Sequence, residues 1–330
     1  MFVSIYVLSI LLVGVIGVLV NVYLFWRFSK DRGGGFMTYC LAKTVPNTIV
    51  CSAFLFWVVP ITALSLDYNH VPRMINVFVG QVAGFGAYIA GAILEMFMAI
   101  NRCSVIYGSR NNFENANYVV TFVCVVSMVF VLLGLIPTSC GFVFDPECFL
   151  WRPEETECAA LMEDIMFYTI CATFVVSNTL NVITFLKLFC FGKVEGISNY
   201  EIVRRRKRRI QFFAQSVIQN CLHMIDMINF NFISNLNDAT WFKFIFTSQS
   251  LLTIHALDGF VMLIFHPKPE SKSKINSTIN RDVRVSGCPF HDSYCILLCG
   301  SSQVPKSSVI GDTCPIVCLS VYPNVPRYSD

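Results

Sequence analysis

Residues 204–209 read Arg204-Arg205-Arg206-Lys207-Arg208-Arg209, and long apolar segments lie on both sides of them. Loops this basic resist transfer across a bilayer, and short cytoplasmic loops collect Lys and Arg. A basic run between two spans therefore sets which side of a membrane the connection faces, and with it the orientation of every other segment. Working outward from 204–209, apolar stretches fall at about 3–27, 40–65, 75–100, 118–139, 161–189, 210–234 and 241–265, each near the 20 residues or so that a helix needs to cross the hydrocarbon core. The composition agrees: 55% of residues are hydrophobic and only 14% charged, where a soluble globule carries about 25% charge. The runs are too long and continuous for barrel strands. The expected fold is all-α, a polytopic seven-transmembrane helical bundle.

Net charge is only +3, so placement carries the information. With the 190–209 loop inside, the outer loops hold Arg73, Arg152 and Lys243 out of 24 basic residues, and the others lie on or near the cytoplasmic side. This predicts an outside N-terminus and an inside C-terminus. No charged region precedes the first span and Arg27 and Lys30 follow it, which fits an uncleaved anchor better than a cleaved signal. The expected organisation is a seven-span membrane domain over 1–266 and a disordered cytoplasmic tail over 267–330.

Between the spans, the Gly-rich stretch 29–35 suits a tight inner turn, Pro46 and Pro60 predict kinks in the second span, and Asn111, Asn112, Asn115 and Asn117 mark a second inner loop. The outer loop 139–157 is acidic, with Asp145, Glu147, Glu154, Glu155 and Glu157, and brings Cys140, Cys148 and Cys158 close in sequence. In an oxidising compartment Cys140 and Cys158 would join the two ends of this loop and leave Cys148 over; three free thiols is the other reading. The tail holds Cys288, Cys295, Cys299, Cys314 and Cys318, whose CxxxC spacing matches metal sites only loosely, and palmitoylation near the membrane is the preferred reading. The sequon Asn276-Ser277-Thr278 lies on the cytoplasmic side in this topology and should be silent.

Ionisable groups inside a bilayer are costly and mark function or a buried pair. Counted at about 1.5 Å per residue from the cytoplasmic ends, Asn21, Glu95 and Asp258 lie roughly 10 Å deep, with Lys43 somewhat shallower. They form a candidate polar layer in which Lys43 or a cation balances Glu95 and Asp258. The alternative is a Lys43 that snorkels to the headgroups beside a protonated Glu95. The outer halves carry Gln81, Tyr88, Tyr168, Asp226, Asn229, Trp241 and Gln249 as candidate ligand-pocket residues, or as hydrogen bonds between helices. Asp226 favours a cationic or hydrogen-bonding ligand if it faces the cavity. The basic run itself attracts anionic lipid.

Four segments carry a resemblance. These are GVLVN at 17–21, AINRCSVIYG at 99–108, RRIQFFAQSVIQN at 208–220 and IHALDGFVMLIFHPKPE at 254–270. Over residues 1 to about 270 the chain resembles the nematode serpentine chemoreceptors of class X, a divergent branch of the rhodopsin-like G-protein-coupled receptors, and Cys140 and Cys158 bracket an outer loop of similar layout. The resemblance implies a chemosensory receptor in the plasma membrane, including that of sensory cilia, which binds a small-molecule ligand from outside and signals to a heterotrimeric G-protein. It implies G-protein coupling through Arg102 and Asn101 and through Arg204, Arg205, Arg206, Lys207, Arg208 and Arg209. The chain departs from the superfamily pattern in three places. Asn101 stands where an acid would pair with Arg102, Asp258-Gly259 replaces Asn-Pro, and residues 67–81 lack the usual cysteine, so any disulfide must be internal to the outer loop.

No phosphate loop, HExxH or nucleophile elbow points to an enzyme, and His223 and His255 stand alone in the sequence. There is no internal repeat of the kind transporters show. No cofactor, metal or nucleic-acid partner is expected. The rival reading is a ligand-gated channel with seven spans in the inverted orientation, which the charge bias opposes.

Overall fold

The computed structural model describes residues 2–30, 35–107, 116–135, 140–190 and 199–266, with backbone alone at 2, 189–190, 199–206 and 208–209. Most of the Gly-rich turn, Asn111, Asn112 and Asn115, and the whole tail with its cysteines and sequon lie outside the described residues, as do the side chains of the basic run apart from the exposed Lys207.

Among the described residues, seven long helices make up the bundle: α1 (Phe2–Lys30), α2 (Gly35–Ala63), α3 (Arg73–Ile106), α4 (Ala116–Gly134), α5 (Glu157–Cys190), α6 (Asn199–Asn231) and α7 (Thr240–Phe265). Six of them are long and apolar enough to cross a membrane, α6 being the exception. Its difference is one of pattern. Gln215, Gln219, His223 and Asp226 recur at helical spacing and are all buried, while Ile218, Met224, Ile225 and Ile228 are exposed. Polar residues inward and apolar residues outward is the arrangement lipid imposes, since buried polar groups find partners only within the bundle. The protein is an all-α polytopic membrane protein.

The most enclosed helix is α3, which packs against α2, α4, α5 and α6, while α1 is held between α2 and α7. α2 continues through Pro46. Just before Pro60, at Phe54–Val58, it widens to i→i+5 hydrogen bonding, and α3 and α7 widen likewise at Gln81–Ala87 and Ile245–Gln249. Such widened turns are rare and often sit at functional sites. These three lie toward the same end of the bundle, opposite the basic run of α6.

That end is covered by an element that the helical reading of the chain does not contain. β1 (Phe142–Asp145) and β2 (Leu150–Pro153) form an antiparallel ribbon with Phe144 opposite Trp151, and Phe149 in the connecting turn has φ 56°. Aromatic and β-branched residues favour this conformation, but a lone hairpin is marginal in water. Here the bundle holds it. Asn76 on α3 donates to the Phe144 carbonyl at 2.9 Å and accepts its N–H at 3.1 Å, and Trp57 Nε1 donates to the same Asn76 oxygen at 3.0 Å. Arg73 grips Glu154 through two bonds of 2.7 and 2.8 Å, and Arg152 pairs with Asp145 at 2.9 Å. Much of the loop's acidity is thus neutralised locally. Gly80 and Gly84 leave space for Phe142, because a Cβ on the first would collide with the Phe142 carbonyl and one on the second would come within 2.6 Å of its ring. A disulfide between Cys140 and Cys158 closes the base of the ribbon with Cα atoms 5.0 Å apart; Cys148 is a free, exposed thiol.

Candidate functional site

Asn21, Lys43, Glu95 and Asp258 meet in one buried cluster. The Lys43 ammonium is fully enclosed, in contact with Glu95 Oε1 and 3.1 Å from Asp258 Oδ1. Neither carboxylate depends on Lys43 alone. Asp258 also accepts from Asn47 Nδ2 and Gln219 Nε2, each at 2.7 Å, and His223 Nε2 lies 3.2 Å from Glu95 Oε1. Asn47 extends the network to α1 by donating to Asn21 Oδ1 at 3.3 Å, and its own oxygen accepts from His255 Nδ1 at 2.8 Å. Asn21 reaches the backbone of α7, donating to the His255 carbonyl at 3.4 Å; Gly259 permits the approach, since a Cβ there would sit 2.9 Å from the Asn21 amide. Five helices, α1, α2, α3, α6 and α7, are tied together through side chains that water does not reach.

The ligating atoms of Glu95, His223 and Asp258 lie within 4.8 Å of one another, a spacing that suits a metal ion. Lys43 already stands between the two carboxylates, however. A tethered ammonium supplies the positive charge there, and a divalent ion would have to displace it.

Toward the ribbon end lies a cavity bounded by α3, α5, α6, α7 and the ribbon, with Tyr88, Phe142, Trp151, Phe167, Phe230 and Asp226 among its walls. Its volume is about 50 Å³. One water needs about 10–15 Å³, so there is room for several waters or a compact organic molecule. Asp226 lies at the inner wall. Its Oδ1 accepts from Ser250 Oγ at 2.9 Å, and Tyr88 shares the cavity wall with it. Tyr88 joins cavity to cluster, with its ring centroid 6.4 Å from that of His223 and 6.2 Å from that of His255.

Toward the basic end, Arg102 is buried and bound to α6. It donates to the Phe212 carbonyl at 2.9 Å and to the Ser216 hydroxyl, and Nε turns back to the Met98 carbonyl at 2.9 Å. Neutral oxygens on the neighbouring helix thus receive the guanidinium where Asn101 leaves no adjacent acid. Arg204, Arg205, Arg206, Lys207, Arg208 and Arg209 lie on the first turns of the same α6.

The other pocket candidates lie elsewhere. Gln81 donates to the Cys140 carbonyl at 3.1 Å, Asn229 to Ser250 at 3.0 Å, and Gln249 accepts from Ser9 on α1 at 3.2 Å. Tyr168 and Trp241 are on the outer surface of the bundle. Conversely, Asn47, Gln219, His223 and His255 belong to the cluster without having been singled out from the sequence. His223 and His255, far apart in the chain, have ring centroids 5.5 Å apart. The four-residue step from Lys43 to Asn47 and the recurrence of Gln215, Gln219, His223 and Asp226 are the signals that point to them.

The family model for serpentine-type seven-transmembrane G-protein-coupled chemoreceptors of the Srx type matches residues 11–266. The chain belongs to that family. A search of curated proteins returns no match. The matched span runs from within α1 to just past α7 and so contains the cluster, the cavity and the Arg102 contacts. Srx proteins are a receptor family rather than an enzyme family, and this Srx chain is a multi-pass membrane protein.

Proposed function

We propose that this Srx receptor takes a small-molecule ligand from outside the cell into the cavity beneath the ribbon and signals to a heterotrimeric G-protein at the basic end of the bundle. It would do so in the plasma membrane, sensory cilia included, with the N-terminus outside. The observation that carries the reading is continuity along α6: Asp226 at the cavity, His223 and Gln219 in the cluster, and Ser216 at Arg102 follow one another on a single buried face. A ligand shifts a conformational equilibrium only by binding one state better than another. A helix that touches the cavity, the charges and Arg102 is suited to pass such a bias along. The orientation is supported by a disulfide at the ribbon end, which an oxidising compartment favours, and by the basic run at the other.

The test has two parts. Epitope tags at the N-terminus, near Asn199 and after Asp330, stained before and after permeabilisation, report orientation; surface staining of the loop and C-terminal tags alone would replace the receptor with an inverted channel. Basal G-protein activation is then compared for wild type, Asp258→Asn and Arg102→Gln at matched surface expression. We expect Asp258→Asn to change basal activity and Arg102→Gln to lower coupling. An Asp258→Asn receptor with unchanged expression and signalling would sink the idea that the cluster is the switch.

A further inference from the structure

The charge of the cavity walls carries one step more. Among the described residues, Asp226 and Glu163 line the cavity and no Lys, Arg or His does. Asp226 is buried, yet among the described residues no basic side chain forms an ion pair with it; the ammonium that could have served is committed to Glu95 and Asp258. A buried carboxylate that accepts from the Ser250 hydroxyl has a hydrogen bond but, among the described residues, no ion-pair partner. An unpaired buried charge is among the costliest groups a protein can hold. The remaining walls are largely aromatic and apolar, and the ring faces of Tyr88, Phe142, Trp151, Phe167 and Phe230 attract cations as well as hydrocarbon.

We propose that the ligand is a compact organic ammonium whose charged head pairs with Asp226 and whose apolar body, no larger than a single ring, packs against these aromatic walls. This rests on reading the cavity as the ligand site. An anionic ligand of the same shape is excluded, because its charge would lie against two carboxylates with no base to offset them. Ser250 orients the Asp226 carboxylate, and Glu163, half-buried on α5, adds negative potential along the wall.

The probes are butylamine and 2-phenylethylamine, set against their neutral isosteres 1-butanol and 2-phenylethanol and against phenylacetate. Binding to the purified full-length receptor is followed by calorimetry and by thermal shift at up to millimolar concentration. Loss of one partner of a desolvated ion pair weakens binding by about 30-fold or more. We expect the amines to bind at least that much more tightly than the alcohols, phenylacetate not at all, and Asp226→Asn to erase the preference. Asn can still accept from Ser250, and if that variant fails to fold, the amine-to-alcohol ratio on wild type decides. Alcohols that bind as well as amines, or an amine preference that survives Asp226→Asn, overturn the cation while leaving the cavity as the site. Leu251→Trp, which fills the cavity, should abolish binding by every probe. Amine binding that survives it, or no binding by any probe to wild type, overturns cavity and cation together.

Discussion

Replacing Lys43 by Met removes the ammonium while keeping most of the side-chain length, so the loss is electrostatic. Lys43 is fully buried and touches two carboxylates that are themselves enclosed. Breaking a buried pair by deleting one partner costs about 3–5 kcal/mol, because the other charge is left without compensation. Here two acids are stranded, and His223, 3.2 Å from Glu95, is a basic group that stays beside one of them. At about 2–4 °C of melting temperature per kcal/mol, the expected fall is on the order of 6–20 °C. The assay is thermal unfolding of purified receptor in one fixed detergent. The companion variant is the neutral triple Lys43→Met, Glu95→Gln, Asp258→Asn, in which every charge is removed at once. Neutralising a buried ionic group as a whole is often close to neutral in stability, so the triple should recover most of the loss. An unchanged melting temperature in Lys43→Met, or a triple no more stable than the single, would refute the view that Lys43 is the counter-ion of this cluster.

The ribbon supplies two more predictions. Cys140→Ser should cost about 3 kcal/mol, since the bridge closes a loop with a sequence separation of 18, and alkylation of unreduced protein followed by mass spectrometry should label Cys148 but neither bridge partner. Gly80→Ala should destabilise by about 1–3 kcal/mol because its Cβ meets the backbone carbonyl of Phe142, which cannot step aside; Gly91→Ala, with open space at its Cβ, should instead gain up to about 1 kcal/mol from helix propensity, both read by thermal unfolding.

Hydropathy made the seven helices legible because a bilayer demands a fixed length of apolar chain, and the helix ends differ from the expected spans mainly at α6, where the basic run extends the helix back to Asn199. Depth was legible for the same geometric reason: a constant rise per residue puts Asn21, Glu95 and Asp258 at one level. Rotation was not. A helix such as α5, apolar on most sides, carries little signal of which face turns inward, so Tyr168 stood beside Asp226 as a candidate although it meets the surface, whereas on α6 the recurrence of Gln219, His223 and Asp226 marks the inner face. The ribbon was hidden too, since FVFD and LWRP are each only 4 residues long and gain their order from Asn76 and Arg73, contacts that exist only after the bundle has formed.

The length of α6 gives its position a mechanical meaning. Its 33 residues make a rod of about 50 Å at a rise of about 1.5 Å per residue, well beyond the roughly 30 Å hydrocarbon layer. Asp226 stands near one end and Arg204 about 33 Å away along the axis. If the rod pivots near Asp226, a tilt of about 10° displaces the Arg204 end by about 6 Å, the scale of one helical turn. The gearing is steep: a rearrangement too small to open the cavity visibly would still move six positive charges far enough to make or break a contact with a partner beneath the membrane.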